Sequence, residues 1–360
     1  MSKKIIFSGG GTGGHVLPAI HLMKHFFDKK YEVLLVTDVR GNNFVKDKTN
    51  HKSYIIGTGT PTNKNLIKKF LSFFVVLNSI IKSIFILKKE KPDLILGFGG
   101  YVSFPTCIAA RILNLPLIIY ESNVKMGRAN KYLAPFSKKI FLANKIKNSL
   151  PEKYLNKTYE VGSILDKNII NSSSKEKKKI KNKFSILVLG GSQGAKIFGE
   201  VVPETINMVN KKINLEIEIN QQCILDQEEL LVNFYKKNNI KHHIFKFEKN
   251  ILNYLLESDL VITRCGATTS AELVHTLSPF VAVPLQQSID NHQYLNAKYH
   301  ENKGCCWLLE QKNFNSRSLF NLIIEIINSK NKLENIRLNM KKNRSQNVYT
   351  NVENEIEELF

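Results

Sequence analysis

Arginine is scarce in this chain, with seven among 52 lysines and arginines, although the formal net charge is +21. The guanidinium fork is the side chain favoured for reading bases and phosphates. No aromatic-basic repeat or binding motif accompanies the charge, so nucleic acid is not expected as a partner, and a basic surface facing a lipid headgroup layer fits better. The five cysteines (Cys107, Cys223, Cys265, Cys305 and Cys306) include no CxxC pair and no histidine at ligand spacing, and read as reduced thiols of a cytosolic protein. The N-terminus, MSKKIIFSGG, enters a strand at once and lacks the apolar core of a signal peptide, so export is not expected. Hydrophobic residues at 43% and charged residues at 23% argue against global disorder, and 360 residues suggest two domains.

What is present is a series of apolar runs that end in glycine. Lys4–Phe7 leads into GGGTGGH (Gly9–His15) and then an apolar helical pattern; Asp93–Gly100 reads DLILGFGG, from which YVSFP leads into a helical run, Thr106–Leu113; Ser185–Ala195 reads SILVLGGSQGA; Leu260–Thr263 leads into RCGATTSAE (Arg264–Glu272). A strand that breaks at glycine and restarts as a helix leaves backbone N–H groups aimed at one spot, which favours an anion. Gly9, Gly11 and Gly14 formally satisfy GxGxxG, and Asp38 after the strand Glu32–Thr37 stands where a dinucleotide fold places its ribose-binding acid, so an NAD-dependent oxidoreductase stays open. His15 stands at the mouth of the first turn, as a base, a ligand contact or a capping residue. Glu121 and Asn123 follow the strand Pro116–Glu121 at its carboxyl end, the functional edge of a parallel sheet. Arg264 adds a positive charge, and Thr268, Thr269 and Ser270 read as caps or donors. Asp290–Gln293 reads as the start of a helix, either capped or closing on a sugar. A polar segment, Asn171–Lys183, divides two halves that each open with strand, glycine turn and helix, so two Rossmann-like, doubly wound parallel-sheet domains facing a cleft are expected, with transfer from a donor in one to an acceptor in the other.

The stretch Leu66–Lys89 is apolar, framed by lysines and interrupted by Asn78 and Lys82. It is read as an interfacial helix whose Phe70, Phe73, Phe74 and Phe85 enter the acyl boundary, with a buried core helix as the alternative and a membrane span disfavoured by the interruptions.

The segments GGGTGGHVLPA, GFGGYVSFP, ESNVKMGRANK, GGSQGA, RCGATTSAE and DNHQYLNA, in this order over most of the chain, resemble the motif series of the MurG family (glycosyltransferase family 28). The resemblance implies an α/β GT-B fold and an inverting transfer of N-acetylglucosamine from UDP-N-acetylglucosamine to the 4-hydroxyl of the muramoyl sugar of lipid I, giving lipid II, by a peripheral enzyme on the cytoplasmic face of the cell (inner) membrane. A lipid glycosyltransferase acting on diacylglycerol shares the fold, but the ESN and DNHQ motifs speak against it. No two aspartates occur as DxD, so no metal is expected to clamp the diphosphate and no cofactor is implied; helix N-termini and glycine-loop amides would meet its charge. Carried over by motif, Thr12, Gly13, Gly14 and Asn123 would touch the donor sugar side. Ser192 and Ala267–Ser270 would hold phosphates, Glu272 (beside Ala271) the ribose hydroxyls, Gln293 the N-acetylglucosamine, and the Glu248 backbone the uracil. His15 is the first choice for general base and Glu121 the second. The expected domains are 1–163 for acceptor and membrane, 164–340 for the donor, and 341–360 as a helix packing back on the first. Two departures from the family pattern stand out: GSILD (Gly162–Asp166) replaces GNPVR, leaving Lys167 as the nearest cation, and Tyr120 replaces a histidine.

Overall fold

The computed structural model describes residues 2–46, 51–59, 66–145, 150–172, 182–191, 194–248, 250–286, 288–329 and 331–360. The chain divides into two compact units, Met1–Asp166 with Ser345–Phe360, and Lys167–Arg344.

In the first unit the strands are β1 (Lys4–Ser8), β2 (Glu32–Thr37), β3 (Ser53–Ile55), β4 (Leu94–Gly97), β5 (Leu117–Glu121), β6 (Lys139–Leu142) and β7 (Thr158–Glu160). They form one parallel sheet in the order β3-β2-β1-β4-β5-β6-β7. These strands are near-continuous apolar runs because helices cover both faces of the sheet. Ile5, Phe7 and Leu35 pack into one core and Ile6, Leu34 and Val36 into another, the period-two alternation of a pleated strand sorting one run between two layers. The C-terminal helix Val348–Glu357 places Val348, Val352 and Ile356, one turn apart, in the first of these cores. Burying three such side chains contributes on the order of 5 kcal/mol before the entropy of ordering the helix is deducted. Lys139 Nζ, itself buried, is held by Glu355 at 2.6 Å and Glu358 at 2.5 Å on the same helix.

The second unit repeats the plan. Strands β8 (Lys183–Leu189), β9 (Glu216–Gln222), β10 (Lys241–Phe245), β11 (Leu260–Thr263), β12 (Phe280–Ala282) and β13 (Cys306–Leu308) form a parallel sheet in the order β10-β9-β8-β11-β12-β13. In both sheets the order reverses beside the first strand, between β1 and β4 and between β8 and β11. Loops leaving the carboxyl ends of such a pair diverge and leave a crevice, which is where doubly wound sheets bind ligands. All four glycine turns noted in the sequence leave these four strands.

Three expectations about local structure change. The helix after the second glycine turn runs Gly100–Ile112 rather than from Thr106, so YVSFP lies within it and the turn shrinks to Phe98 and Gly99. Asn171 and Ser172 end a short helix, Lys167–Ser172, and Lys183 begins β8; residues 173–181 of the polar segment lie outside the described residues. Asp290 and Asn291 both adopt left-handed backbone (φ 52° and 58°), and the Asn291 side chain does not cap the helix His292–Asn302; in its first turn the Gln293 N–H donates to Ser288 Oγ at 3.4 Å.

Candidate active site

In the first unit, the loop after β1 is pinned from beneath. Asp38, at the end of β2, is buried, and its Oδ1 accepts from the N–H groups of Gly11 at 2.9 Å and Gly41 at 2.8 Å, while its Oδ2 is 3.3 Å from Arg40 Nε. The acid that a dinucleotide-binding enzyme would turn toward a ribose is here spent on shaping the loop. This removes the observation that kept the oxidoreductase reading open.

His15 lies in the first turn of the helix Gly13–Asp28, which starts without a side-chain cap after the exposed Thr12. Its Nδ1 is 2.9 Å from the carbonyl oxygen of Phe98. A carbonyl only accepts, so Nδ1 carries the hydrogen and the neutral ring presents its lone pair on Nε2. The ring is seated against two bare glycines. A Cβ on Gly99 (φ +79°) would lie 3.4 Å from Cε1, and one on Gly100 (φ +73°) 3.1 Å from Cδ2. The turn after β4 therefore supplies both the acceptor that sets the tautomer and the room for the ring.

Glu121 ends β5 and is 2% exposed. Its Oε1 accepts from the backbone N–H of Asn123 at 3.0 Å and from Asn123 Nδ2 at 2.9 Å; its Oε2 accepts from the N–H of Gly127 at 2.9 Å and from Asn130 Nδ2 at 2.9 Å. Four donors occupy a carboxylate with about four lone-pair sites. Such a group folds the loop 121–130 around itself and orients Asn123, and no oxygen is left bare to take a proton. Sequence reasoning missed Asn130 as part of this network; its signal was a polar residue whose neighbours in ANKYLA otherwise follow a helical apolar pattern.

In the second unit, the helix Ala267–His275 begins at Gly266, again without a side-chain cap, and the Ser270 N–H is the first to reach back, to the Gly266 carbonyl at 3.0 Å. Its first turn, Ala267–Thr269, is thus the anion-seeking end. Ser270 differs from expectation. It is 1% exposed and its hydroxyl donates to the carbonyls of Gly266 and Ala267 at 2.9 and 3.1 Å, so it closes the helix start from within. Thr268 and Ala271 are also buried, whereas Thr269 and Glu272 are partly exposed, Glu272 one turn behind the helix start. Arg264 is half-buried; its Nη1 donates to the Val283 carbonyl at 3.0 Å and its guanidinium lies 5.1 Å from the centre of the Phe198 ring. Burial works against its charge and lowers its pKa, and the carbonyl and the ring face offset that cost. On the next strand-to-helix connection, Gln293 Oε1 accepts from the Leu285 N–H at 2.9 Å, which leaves its amide nitrogen as the donor, and Asn296 Nδ2, buried, reaches the Cys265 carbonyl at 3.3 Å. That bond ties the Gln293 helix to the RCG turn, a link the sequence reading did not include. Glu248 turns its carboxylate onto the N–H of Asn250 at 2.8 Å, before the helix Ile251–Glu257. The loop after β8 is held by Gln222, whose Oε1 accepts from Gly190 N–H at 3.0 Å; Ser192 itself lies outside the described residues.

The two departures from the family pattern meet in the first unit. The Tyr120 hydroxyl is buried, accepts from the Ile164 N–H at 3.1 Å and donates to the Gly162 carbonyl at 3.3 Å, and Tyr349 donates to the Leu165 carbonyl at 2.6 Å. Asp166 Oδ2 lies 3.6 Å from His21 Nδ1. Residues 162–166 are thus anchored by hydroxyls to β5 and to the C-terminal helix.

The helix Leu66–Glu90 has an unusual surface. Phe70, Phe73 and Phe85 are 63%, 62% and 69% exposed, and Phe74 and Ile81 nearly half so, whereas Ser79, Ser83, Leu87 and Glu90 form a buried stripe at helical spacing. Ser79 donates to the Gly57 carbonyl at 2.8 Å, and Glu90 is bonded by Lys52 at 2.6 Å and by Tyr54. The stretch Phe70–Glu90 is long and apolar enough to cross a membrane by length and composition, yet this stripe docks it on the sheet domain. The core-helix alternative fails on the exposed phenylalanines. The side chains at 66–69 lie outside the described residues.

Two family models cover most of the chain: the glycosyltransferase family 28 N-terminal domain matches residues 5–142, and the glycosyltransferase family 28 C-terminal domain matches residues 185–352. The chain belongs to glycosyltransferase family 28. Family relatives are similar over nearly their full length. A protein of Pelagibacter ubique named UDP-N-acetylglucosamine--N-acetylmuramyl-(pentapeptide) pyrophosphoryl-undecaprenol N-acetylglucosamine transferase is 37% identical over 353 residues, covering 98% of this chain and 97% of its own. One of the same name from Rickettsia bellii is 36% identical over 361 residues, covering 99% and 100%. The crystal structure of Acinetobacter baumannii MurG superposes with a TM-score of 0.79 at 25% identity, covering 99% and 100%. The two parallel-sheet units are accordingly those of the GT-B fold.

Proposed function

We propose that this family 28 chain transfers N-acetylglucosamine, with inversion, from UDP-N-acetylglucosamine to the 4-hydroxyl of the muramoyl-pentapeptide sugar of lipid I, forming lipid II. The observation that carries the chemistry is His15, an imidazole at the switch point of the first sheet whose tautomer is set by the Phe98 carbonyl and whose Nε2 holds the lone pair. Nε2 takes the acceptor proton as the hydroxyl oxygen attacks the anomeric carbon from the face opposite UDP. The substrates are those in the names of the full-length relatives.

The second unit holds the donor. The first-turn N–H groups of Ala267–Thr269 and the loop after β8, including Ser192, take the diphosphate, whose charge grows as UDP leaves. Glu272 accepts from the ribose hydroxyls, the Glu248 backbone reads uracil, and the Gln293 amide donates to the N-acetylglucosamine. In the first unit Asn123 and the Thr12–Gly14 turn face the sugar being transferred, while Glu121 positions Asn123. The apolar side of Leu66–Glu90, with the excess of lysine around it, seats the enzyme peripherally on the anionic cytoplasmic face of the inner membrane, where lipid I presents its headgroup.

The role of His15 is tested by His15→Ala. Its kcat falls by about 10²–10⁴, the range for a lost general base, while UDP affinity stays unchanged. A loss below about tenfold assigns the base elsewhere. A fluorescence titration that finds binding of reduced nicotinamide cofactor, and none of UDP, overturns the transferase reading itself.

A further inference from the structure

The Asn130 carboxamide sits where the turn after β4 meets the loop after β5. We propose that Asn130 is a positioning residue that holds the His15 imidazole and the Glu121–Gly127 loop in register; this rests on the reading of His15 as the base.

Both hydrogens of its amide are committed to β5. Nδ2 donates to the Tyr120 carbonyl at 3.0 Å and to Glu121 Oε2 at 2.9 Å. Its Oδ1 is buried with no protein hydrogen-bond partner, and the residue is 1% exposed. A buried acceptor left unpaired destabilises the fold relative to an apolar side chain of the same shape. Leucine would fill this volume without that cost, so the amide's value at this position lies in its donors.

The other side of the amide faces the base. A Cβ on Gly99 would lie 3.2 Å from Asn130 Nδ2 and 3.4 Å from both Cε1 and Nδ1 of His15. A bare Cα therefore separates the carboxamide from the imidazole, and this Cα follows directly on Phe98, whose carbonyl sets the tautomer of His15. Asn130 backs the Phe98–Gly99 peptide on one side and fastens the Glu121 carboxylate on the other. Through these contacts it sets the distance between the base and the loop that carries Asn123. Small displacements in such a supporting residue are felt in the rate more than in ground-state binding.

The test uses Asn130→Leu and Asn130→Asp in the full-length protein. Each variant is measured for unfolding midpoint, UDP affinity, kcat and KM with a lipid I analogue, and the titration of the His15 imidazole by NMR with labelled histidine, the resonance assigned by its loss in His15→Gln. Asn130→Leu is expected to lower kcat about ten- to a hundredfold, the range for outer-shell partners, to leave UDP affinity unchanged, and to move the His15 resonance. Asn130→Asp sets a carboxylate against Glu121, so its kcat relative to wild type at the same pH is low at neutral pH and recovers as the pH falls and the pair shares a proton, the ratio cancelling the protonation of His15 common to both. That recovery decides the matter if the leucine variant does not fold. A kcat within threefold of wild type overturns the proposal, as does a loss of kcat that merely follows lost UDP affinity and a lowered midpoint, or an unmoved His15 resonance. The NMR arm needs no substrate, so a wild-type protein inactive on lipid I would refute the transferase reading while still deciding whether Asn130 controls His15.

Discussion

Replacing Glu121 with glutamine separates two roles that the sequence could not tell apart. The carboxylate accepts four hydrogen bonds, two at each oxygen. Glutamine keeps the size and one oxygen but presents an NH2 group to two of the four donors, which then face another donor in a site where Glu121 is 2% exposed. A buried donor stripped of its partner costs about 1–3 kcal/mol, so two give about 2–6 kcal/mol; water can reach Asn123, which favours the lower half of that range. For a unit of this size, each kcal/mol lowers the midpoint by roughly 2–4 °C, so Glu121→Gln should lower the unfolding transition of the first unit by about 5–15 °C. The assay is scanning calorimetry at neutral pH beside kcat on the same preparation. A general base would behave differently, since its glutamine variant folds normally and loses about 10²–10⁴ in kcat. An unchanged midpoint with a hundredfold or greater loss of kcat would refute the assignment of Glu121 as the organiser of the loop.

Other outcomes follow from the same geometry. Glu272→Ala should weaken UDP binding about tenfold, the size of one lost charge-assisted hydrogen bond, by isothermal titration; unchanged affinity returns the Arg264–Glu272 stretch to an ordinary helix start. Phe73→Ser with Phe85→Ser, both on the exposed side of Leu66–Glu90, should lower partition onto anionic vesicles at least tenfold without shifting the unfolding midpoint, since neither ring is in a core. Burial lowers the pKa of His300 to about 4 from 6.5. Its folded-state pKa is depressed, so the unfolded state binds the proton first, and stability falls as pH drops from about 6.5 toward 4 by up to about 3 kcal/mol. His300→Phe, beside Phe280, should flatten that acid limb in the second unit; an identical slope would place the proton uptake elsewhere.

The glycine turns were legible because a turn between strand and helix is written in consecutive residues, and their meeting at two switch points follows from strand order alone. The apolar runs also marked the helix Leu66–Glu90 to within a residue of its end. Three-residue edge strands such as Ser53–Ile55 and Cys306–Leu308 were not legible, since so short a run carries no period. The start of the helix Gly100–Ile112 was missed because Pro105 reads locally as a breaker, whereas here it is accommodated near the first turns. At the site, residue identity revealed which groups could do chemistry but not where their lone pairs point. Asp38 and Glu121 both read as functional acids, and both turn inward onto backbone N–H groups. Ser270 reads as a phosphate donor, yet its hydroxyl serves its own helix. Those outcomes depend on contacts between distant residues, such as Glu121 with Asn130, that local pattern does not encode.

The most direct measurement is transfer of radiolabelled N-acetylglucosamine from UDP to a lipid I analogue, run beside diacylglycerol as acceptor. Labelled lipid II from the lipid I analogue, lost in His15→Ala, is the predicted result. Transfer to diacylglycerol and none to the lipid I analogue would contradict it.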